Sequence, residues 1–469
     1  MLDAPTLASL NADRPEPARV THVDGHDAGG ARIDRYRLGN GLEVIVWEDR
    51  TAPVFSYQTW FRVGSRHDPV GRTGIAHLFE HLMFKATKHH PEGDYDRLME
   101  ARGGQNNAAT WVDWTYYKAK LPRWELPFVV ALEADRMEHL ALAGDMLERE
   151  REVVKNERLM RVDNDPDGLL SERLYRTAFT VHPYGAPTIG WMEDIQAISL
   201  ADCERFYRSH YAPDNALVVV VGDVAAAEVL RLVQDRYGHL PPGARDPEPT
   251  TVEPPQDAER RLELSLPIAA PRLVLAYKSS AAGSPDHAAL EVACELLVGG
   301  DSSRLHRRLV EELELATDVS GWVSGWAHPG VFELSVTLRP EVDPAAAERV
   351  VDEVVAALAR GPIDEREIDK AKNGLEAAFW RGQADVGSRA RALGHGWATL
   401  SDWRELWSGQ ARLLAVSAED VRRAAGETLV ADRRTVAIAR PSGAAVSDDG
   451  DEVGDGNGDD DDDGAEVVA

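Results

Sequence analysis

Cysteine is nearly missing from this sequence: Cys203 and Cys294 are the only two in 469 residues. A disulfide framework is therefore excluded, and since neither sits in a CxxC pair, both read as small packing residues. Long hydrophobic runs are missing too. No stretch approaches the roughly 18 apolar residues that would span a bilayer, so no membrane association is expected. The opening residues, MLDAPTLASLNADRPEP, contain early acids and prolines and no apolar segment of the kind a signal peptide needs. A cytoplasmic location is the expectation. Positive charge is in deficit: 52 lysines and arginines face 80 aspartates and glutamates, for a formal net charge of −28. Phosphate backbones repel such a chain, which argues against nucleic acid as a partner.

What is present is a globular composition, 43% apolar and 28% charged, on a chain too long for one ordinary core. Residues 33 to 62 alternate in strand fashion around a Gly-Asn-Gly turn at 39–41, which suits a hairpin. A helix is predicted from Thr73, as N-cap, to about Thr87. Strand-like WVDWTYYKAKL follows GGQNNAAT, two helical stretches occupy about 124–140 and 145–161, and ALVVVVGDV from Ala216 is apolar enough for a central strand. Proline-rich, aperiodic residues 241–260 read as a linker.

Beyond the linker the order of elements repeats. APRLVLAYKSS resembles APVFSYQTWFRVG, and the helical HAALEVACELLVGG follows at the corresponding place. VFELSVTLRP then reads as a strand, with helices from about 344 to 360 and across 364–427, and RTVAIARP as a closing strand. The expected fold is therefore α+β, with two similar domains. Residues 1–32 are read as an N-terminal extension, 33–240 as the first domain, 261–441 as the second, and the acidic, glycine-rich 442–469 as a disordered, solubilising tail.

One stretch carries chemistry. In GIAHLFEHLMF, residues 74 to 84, a helix that is otherwise apolar holds His77, Glu80 and His81. Buried imidazoles and a carboxylate among large apolar groups are costly unless something pairs them. Positions i and i+4 place His77 and His81 on one helical face, where two imidazoles can bind one zinc ion, with Glu80 beside them to polarise a water. A third ligand is required, and GDMLEREREVVKNERLMR offers Glu148, Glu150, Glu152 and Glu157. Placing AHLFEHLMF over EVACELLVG sets His77 against Val292, Glu80 against Glu295 and His81 against Leu296. The second copy keeps the helix and drops both histidines, so packing alone does not require them. His89 and His90, beside Pro91, read as a loop and not as a second metal site.

The pattern His77-Leu-Phe-Glu-His81, followed well downstream by EREVVKNE, resembles the pitrilysin/insulinase family of inverted-zincin (H-x-x-E-H) metallopeptidases, and within it the bacterial branch akin to the mitochondrial processing peptidase. The resemblance runs from about residue 33 to 440. It implies two homologous domains, each a mostly antiparallel sheet with helices, forming one half of a clamshell. It implies zinc held by His77, His81 and Glu157, with Glu80 as general base. Glu150 maps onto the carboxylate behind the ligands, although a solvated helix charge accounts for it nearly as well. Asn107-Ala108-Ala109-Thr110, with Asp113, Thr115 and Tyr116, resembles the family's edge strand that pairs with the substrate backbone, so Asn107 and Ala108 are expected to bind peptide. HPYGAPTIG, residues 182 to 190, also follows a family pattern.

The chain departs from the family at one point. Active single-unit relatives carry an arginine and, seven residues later, a tyrosine that hold the substrate and stabilise the tetrahedral intermediate. Val310 and Thr317 stand at those places here, and neither can donate as arginine or a phenol does. The expected function is a zinc-dependent endopeptidase subunit that cleaves extended peptides, with a homologous partner lacking H-x-x-E-H supplying the arginine and tyrosine. The alternative is a non-catalytic scaffold subunit, whose relatives typically have lost zinc-site residues. A purely structural zinc site would leave Glu80 without a role.

Overall fold

The computed structural model describes residues 2–245 and 247–442. The acidic tail lies, but for its first residue, outside the described residues. Seven strands form one sheet: β1 (Val20–Ala28), β2 (Ala31–Leu38), β3 (Glu43–Glu48), β4 (Val54–Phe61), β5 (Gln105–Thr110), β6 (Thr115–Pro122) and β7 (Ala216–Gly222), in the order β1-β2-β3-β7-β4-β6-β5. Five form another: β8 (Arg260–Leu266), β9 (Arg272–Lys278), β10 (Ala316–Val323), β11 (Val331–Leu338) and β12 (Arg434–Pro441), in the order β10-β11-β9-β12-β8. Among the described residues, only β3 with β7 and β8 with β12 run parallel, and every other strand pairing is antiparallel.

The two sheets repeat one connectivity. Moving each label from β3–β7 five places along the chain reproduces the spatial order and the single parallel pair of the second sheet. The equivalence extends to the helices: Ile75–Leu82 follows β4 as His287–Val298 follows β9. Two α+β units of mostly antiparallel sheet and helices result. The units interleave along the chain. The first takes the chain up to Arg161, Val181–Val252 and Ala377–Ala411; the second takes Val162–Thr180, Glu253–Glu376 and the chain from Arg412 onward.

In the first unit, β7 is buried along its whole length. Val218 and Val220 enter the core on the side of the Ile75–Leu82 helix, and Leu217, Val219 and Val221 a second core on the other face. Burial on both faces accounts for the unbroken apolar run of this strand, where a half-buried one would alternate. The Val386–Leu400 helix covers the second face through Ala390, Leu393 and Trp397. Its Gly394 is required there: a Cβ would stand 2.1 Å from the Trp60 ring.

A charged pair lies inside the first core. Glu133, on the Leu126–His139 helix, accepts hydrogen bonds from Arg136 Nη2 at 2.5 Å and the Tyr95 hydroxyl at 2.7 Å. The Arg136 guanidinium lies over the rings of Tyr117 (4.3 Å), Tyr95 (5.0 Å) and Phe84 (5.4 Å). The Tyr117 hydroxyl in turn donates to the carbonyl of Phe79, inside the Ile75–Leu82 helix. Removing one member of a buried pair strands the other's charge, which costs about 3–5 kcal/mol. Glu133→Ala is therefore expected to lower stability by that amount in denaturant unfolding. A loss below about 1 kcal/mol, the scale of an exposed pair, would show that Arg136 finds another partner.

Candidate active site

The helix that carries the two histidines spans Ile75–Leu82, shorter at both ends than the predicted 73–87. Thr73 is not its N-cap. Gly74 occupies that position at φ +89°, and the cap comes from Asp68, whose carboxylate accepts from the backbone N–H of Gly74 (2.7 Å) and Ala76 (3.1 Å). Thr73 instead anchors a second segment: its hydroxyl donates to Asp194 (2.7 Å) and accepts from Trp191 N–H (2.9 Å). Gly190 sits at φ +89° against Gly74, and a Cβ on it would stand 2.3 Å from the Thr73 carbonyl oxygen. The HPYGAPTIG segment thus ends by packing backbone on backbone against the start of the histidine helix. Arg158 donates to the Gly190 carbonyl at 2.8 Å, which ties the glutamate helix Gly144–Arg158 to the same point.

This bracing aims three side chains at one place. Glu157 Oε2 lies 3.6 Å from His77 Nε2 and 3.3 Å from His81 Nε2. A tetrahedral zinc ion with bonds of about 2.0–2.1 Å holds its ligand atoms about 3.3–3.4 Å apart. The donor set fits. The side chains of His77 and Glu157 are only 12% and 14% exposed, and Glu157 Oε2 is buried with no hydrogen-bond partner. A buried carboxylate oxygen facing two imidazole nitrogens without a hydrogen bond is the arrangement a cation completes.

Charge supports the same reading. Burial pushes the His77 pKa down to about 4, against the pull of Glu157, so this ring is a neutral donor. Burial also opposes a charge on His81, but its hydrogen bond to Glu150 and the facing negative charges of Glu157 and Glu80 carry its pKa up to about 9. Glu157 is held below the usual carboxylate range: burial raises it, and the two histidines with Arg161 outweigh that.

Glu150 stands behind the ligands. Its Oε1 receives His81 Nδ1 at 3.1 Å and its Oε2 receives Lys85 Nζ at 2.8 Å; its side chain is 5% exposed, whereas that of Glu152 is 64% exposed. A carboxylate on Nδ1 fixes the ring so that Nε2 faces the ligand cluster. Glu80 follows on the same helix. Burial pushes its pKa up, while a hydrogen bond with Thr110 and the neighbouring His81 partly hold it down. Thr110 ends β5, the outermost strand of its sheet, and Asn107 and Ala108 lie in that strand, with Asn107 exposed. Asp113, by contrast, is 2% exposed and bound by Arg66 (2.8 Å) and the Tyr184 hydroxyl (2.8 Å), which makes it an anchor of the turn after β5.

Sequence reasoning assigned no role to Lys85 or Arg161, and read Thr110 only as part of the edge-strand motif. Lys85 is four residues beyond His81, so helical spacing could have found it. Arg161 follows Glu157 by the same interval and lies 3.2 Å from its Oε1. In the second unit, Val310 is half-buried against its core, and Thr317 is exposed on β10. The arginines nearby are engaged with glutamates: Arg304 makes two bonds to Glu367 (2.7 and 2.8 Å), and Arg308 reaches Glu312 at 2.9 Å.

Comparison with known proteins bears on all of this. The family model described as insulinase (peptidase family M16) matches residues 43–191, and the one described as peptidase M16 inactive domain matches residues 197–375. The zinc protease PqqE of Helicobacter pylori is 32% identical over 409 residues, covering 86% of this chain and 92% of that one. The mitochondrial-processing peptidase subunit beta of Blastocladiella emersonii is 28% identical over 418 residues, covering 86% and 87%. The crystal structure of a protease from Helicobacter pylori superposes with a TM-score of 0.83 at 31% identity, covering 88% of this chain and all of that one.

Proposed function

The chain belongs to the insulinase family of peptidases, family M16, and from that premise we propose that it is the zinc-dependent catalytic subunit of an endopeptidase that cuts extended peptides. Relatives named as zinc proteases support a metallopeptidase. The observation that carries the reading is the convergence of His77 Nε2 and His81 Nε2 on Glu157 Oε2, at 3.6 and 3.3 Å, close to the ligand spacing of a tetrahedral zinc ion.

Each residue then has a task. His77, His81 and Glu157 would hold zinc. A zinc ion there supplies Lewis-acid polarisation of a peptide carbonyl and eases deprotonation of water. Glu80 takes the proton from the attacking water and returns it to the leaving amine, work for which a carboxyl raised by burial is suited. Asn107 and Ala108 offer the free edge of β5, along which an extended substrate adds as a further strand. Glu150 orients His81. A homologous second subunit lacking H-x-x-E-H supplies the arginine and tyrosine that Val310 and Thr317 replace.

Metal content, together with cleavage of a flexible peptide pool in the presence of such a partner, tests the reading. Stoichiometric zinc and cleavage that stops on chelation are expected. A metal-free chain, or a zinc-loaded one that cuts nothing with the partner added, would leave a scaffold. The ligand assignment has its own test. Glu157→Gln is expected to strip zinc on dialysis, while Glu150→Gln weakens retention by only about 10–100-fold, because it acts through His81. Equal zinc in wild type and Glu157→Gln would place the third ligand elsewhere.

A further inference from the structure

A second convergence of imidazole and carboxylate side chains lies in the first unit, away from the helix face that carries His77 and His81. His89 sits in the turn that follows the histidine helix, and Asp135 and His139 lie four residues apart near the end of Leu126–His139. One ligand atom from each of the three falls within 4.8 Å of the others. Asp135 Oδ1 receives His89 Nδ1 at 2.5 Å and His139 Nδ1 at 3.1 Å, and the two rings stand 4.6 Å apart at 79°. Thr87 donates its hydroxyl to the other oxygen of Asp135.

The backbone already holds this turn in place. Thr87 bridges Leu140, Lys88 N–H donates to the His139 carbonyl (2.9 Å), and Ala141 N–H donates to that of Ala86 (2.9 Å). The imidazoles are therefore not needed to fasten the turn. His89 is 51% exposed, and an ion pair at such a position contributes about 1 kcal/mol at most. His139 shows a further mark of a ligand: while Nδ1 faces Asp135, Nε2 faces the Glu138 carboxylate at 3.5 Å, and His239 holds Glu138 from the far side at 2.9 Å. Metal-binding histidines commonly give their second nitrogen to such a carboxylate. The Asp135 carboxyl stays below its usual range: burial raises it, and hydrogen bonds with His89, Thr87 and His139 outweigh that.

We propose that His89, Asp135 and His139 form a second metal site, selective for borderline divalent ions such as zinc, cobalt or nickel, in which the ion takes the place of the shared protons and the exposed His89 ring draws back from its 2.5 Å contact with Asp135. Two imidazoles and one carboxylate suit these ions, whereas magnesium and calcium take oxygen ligands. Exposure of His89 leaves the remaining coordination positions to water, so the ion exchanges readily.

Zinc titration of the demetallated full chain at micromolar free zinc tests this. Wild type is expected to take up two equivalents, and His89→Ala and His139→Ala one each. Glu157→Gln, in which the first site is crippled, keeps one equivalent that His89→Ala then removes. This arm separates the second site from the first, so a failure of either is read independently. His89 is exposed in a turn, so its alanine variant keeps the fold and decides the question even where His139→Ala unfolds. A single equivalent in wild type, or two equivalents undiminished by His89→Ala, would overturn the site.

Discussion

A Glu80→Gln protein is expected to keep its zinc and to lose peptide hydrolysis by a factor of about 100 or more, the range of a positioned general base. Glutamine preserves size and can still meet the Thr110 hydroxyl, so the helix and its two histidines stay where they are. What disappears is the carboxylate proposed to accept a proton from water. The three atoms that converge on the metal position belong to His77, His81 and Glu157, and none of them changes. Metal analysis and single-turnover cleavage on the same preparation separate the two effects. Substantial turnover by a zinc-loaded Glu80→Gln chain would remove Glu80 from the reaction. Zinc loss with normal folding would instead make Glu80 part of the binding set.

How much of this is legible in the sequence depends on where each residue sits. The H-x-x-E-H face is readable because an apolar helix gains nothing in packing from two imidazoles four residues apart, and because Val292 and Leu296 fill the same places in the second copy. Strand β7 is readable because both its faces are buried. Strands β1 and β10 are not. Both are edge strands, with mixed burial along β1 and three buried positions of eight in β10, and VTHVDGHDA and ATDVSGWV therefore carry no clean period of two. The helical stretch at 377–411 is visible as helix, yet its place with the first sheet is not, since periodicity marks a buried face without naming what buries it. The Asp68 cap and the Gly74–Gly190 contact are hidden for a related reason. Both are made by residues whose partners are set by backbone conformation, and a threonine one residue before the glycine is the more ordinary cap. Asp135 and His139 sit on a helix of low sequence contrast, far along the chain from His89. A sequence pass can read His89 only as a loop residue, which it is, and has no means of seeing what faces it.

The purified chain alone is expected to bind zinc and to cut a flexible peptide poorly, then to gain about 100–1000-fold when a homologous subunit carrying the missing arginine and tyrosine is added. The reasoning starts from the transition state. Charge developing on the peptide oxygen needs preorganised donors, and the loss of one such donor commonly costs that factor. At the two places concerned this chain offers Val310, whose side chain joins the apolar core of its unit, and Thr317, whose hydroxyl donates to the Thr337 carbonyl at 3.3 Å. Arg304 and Arg308, which stand nearby on the same stretch, already bind Glu367 and Glu312. Every residue proposed for the zinc site is nonetheless in place, which is hard to reconcile with a chain meant to work without help. Self-association does not fill the gap, because each copy brings the same valine and threonine. The measurement is turnover of an unstructured peptide by the chain alone, by the partner alone and by the two mixed. Synergy in the mixture that vanishes with Glu80→Gln in this chain, or with the arginine removed from the partner, is the expected result. Robust turnover by this chain with no partner present would show that its own side chains stabilise the oxyanion and that no second subunit is needed.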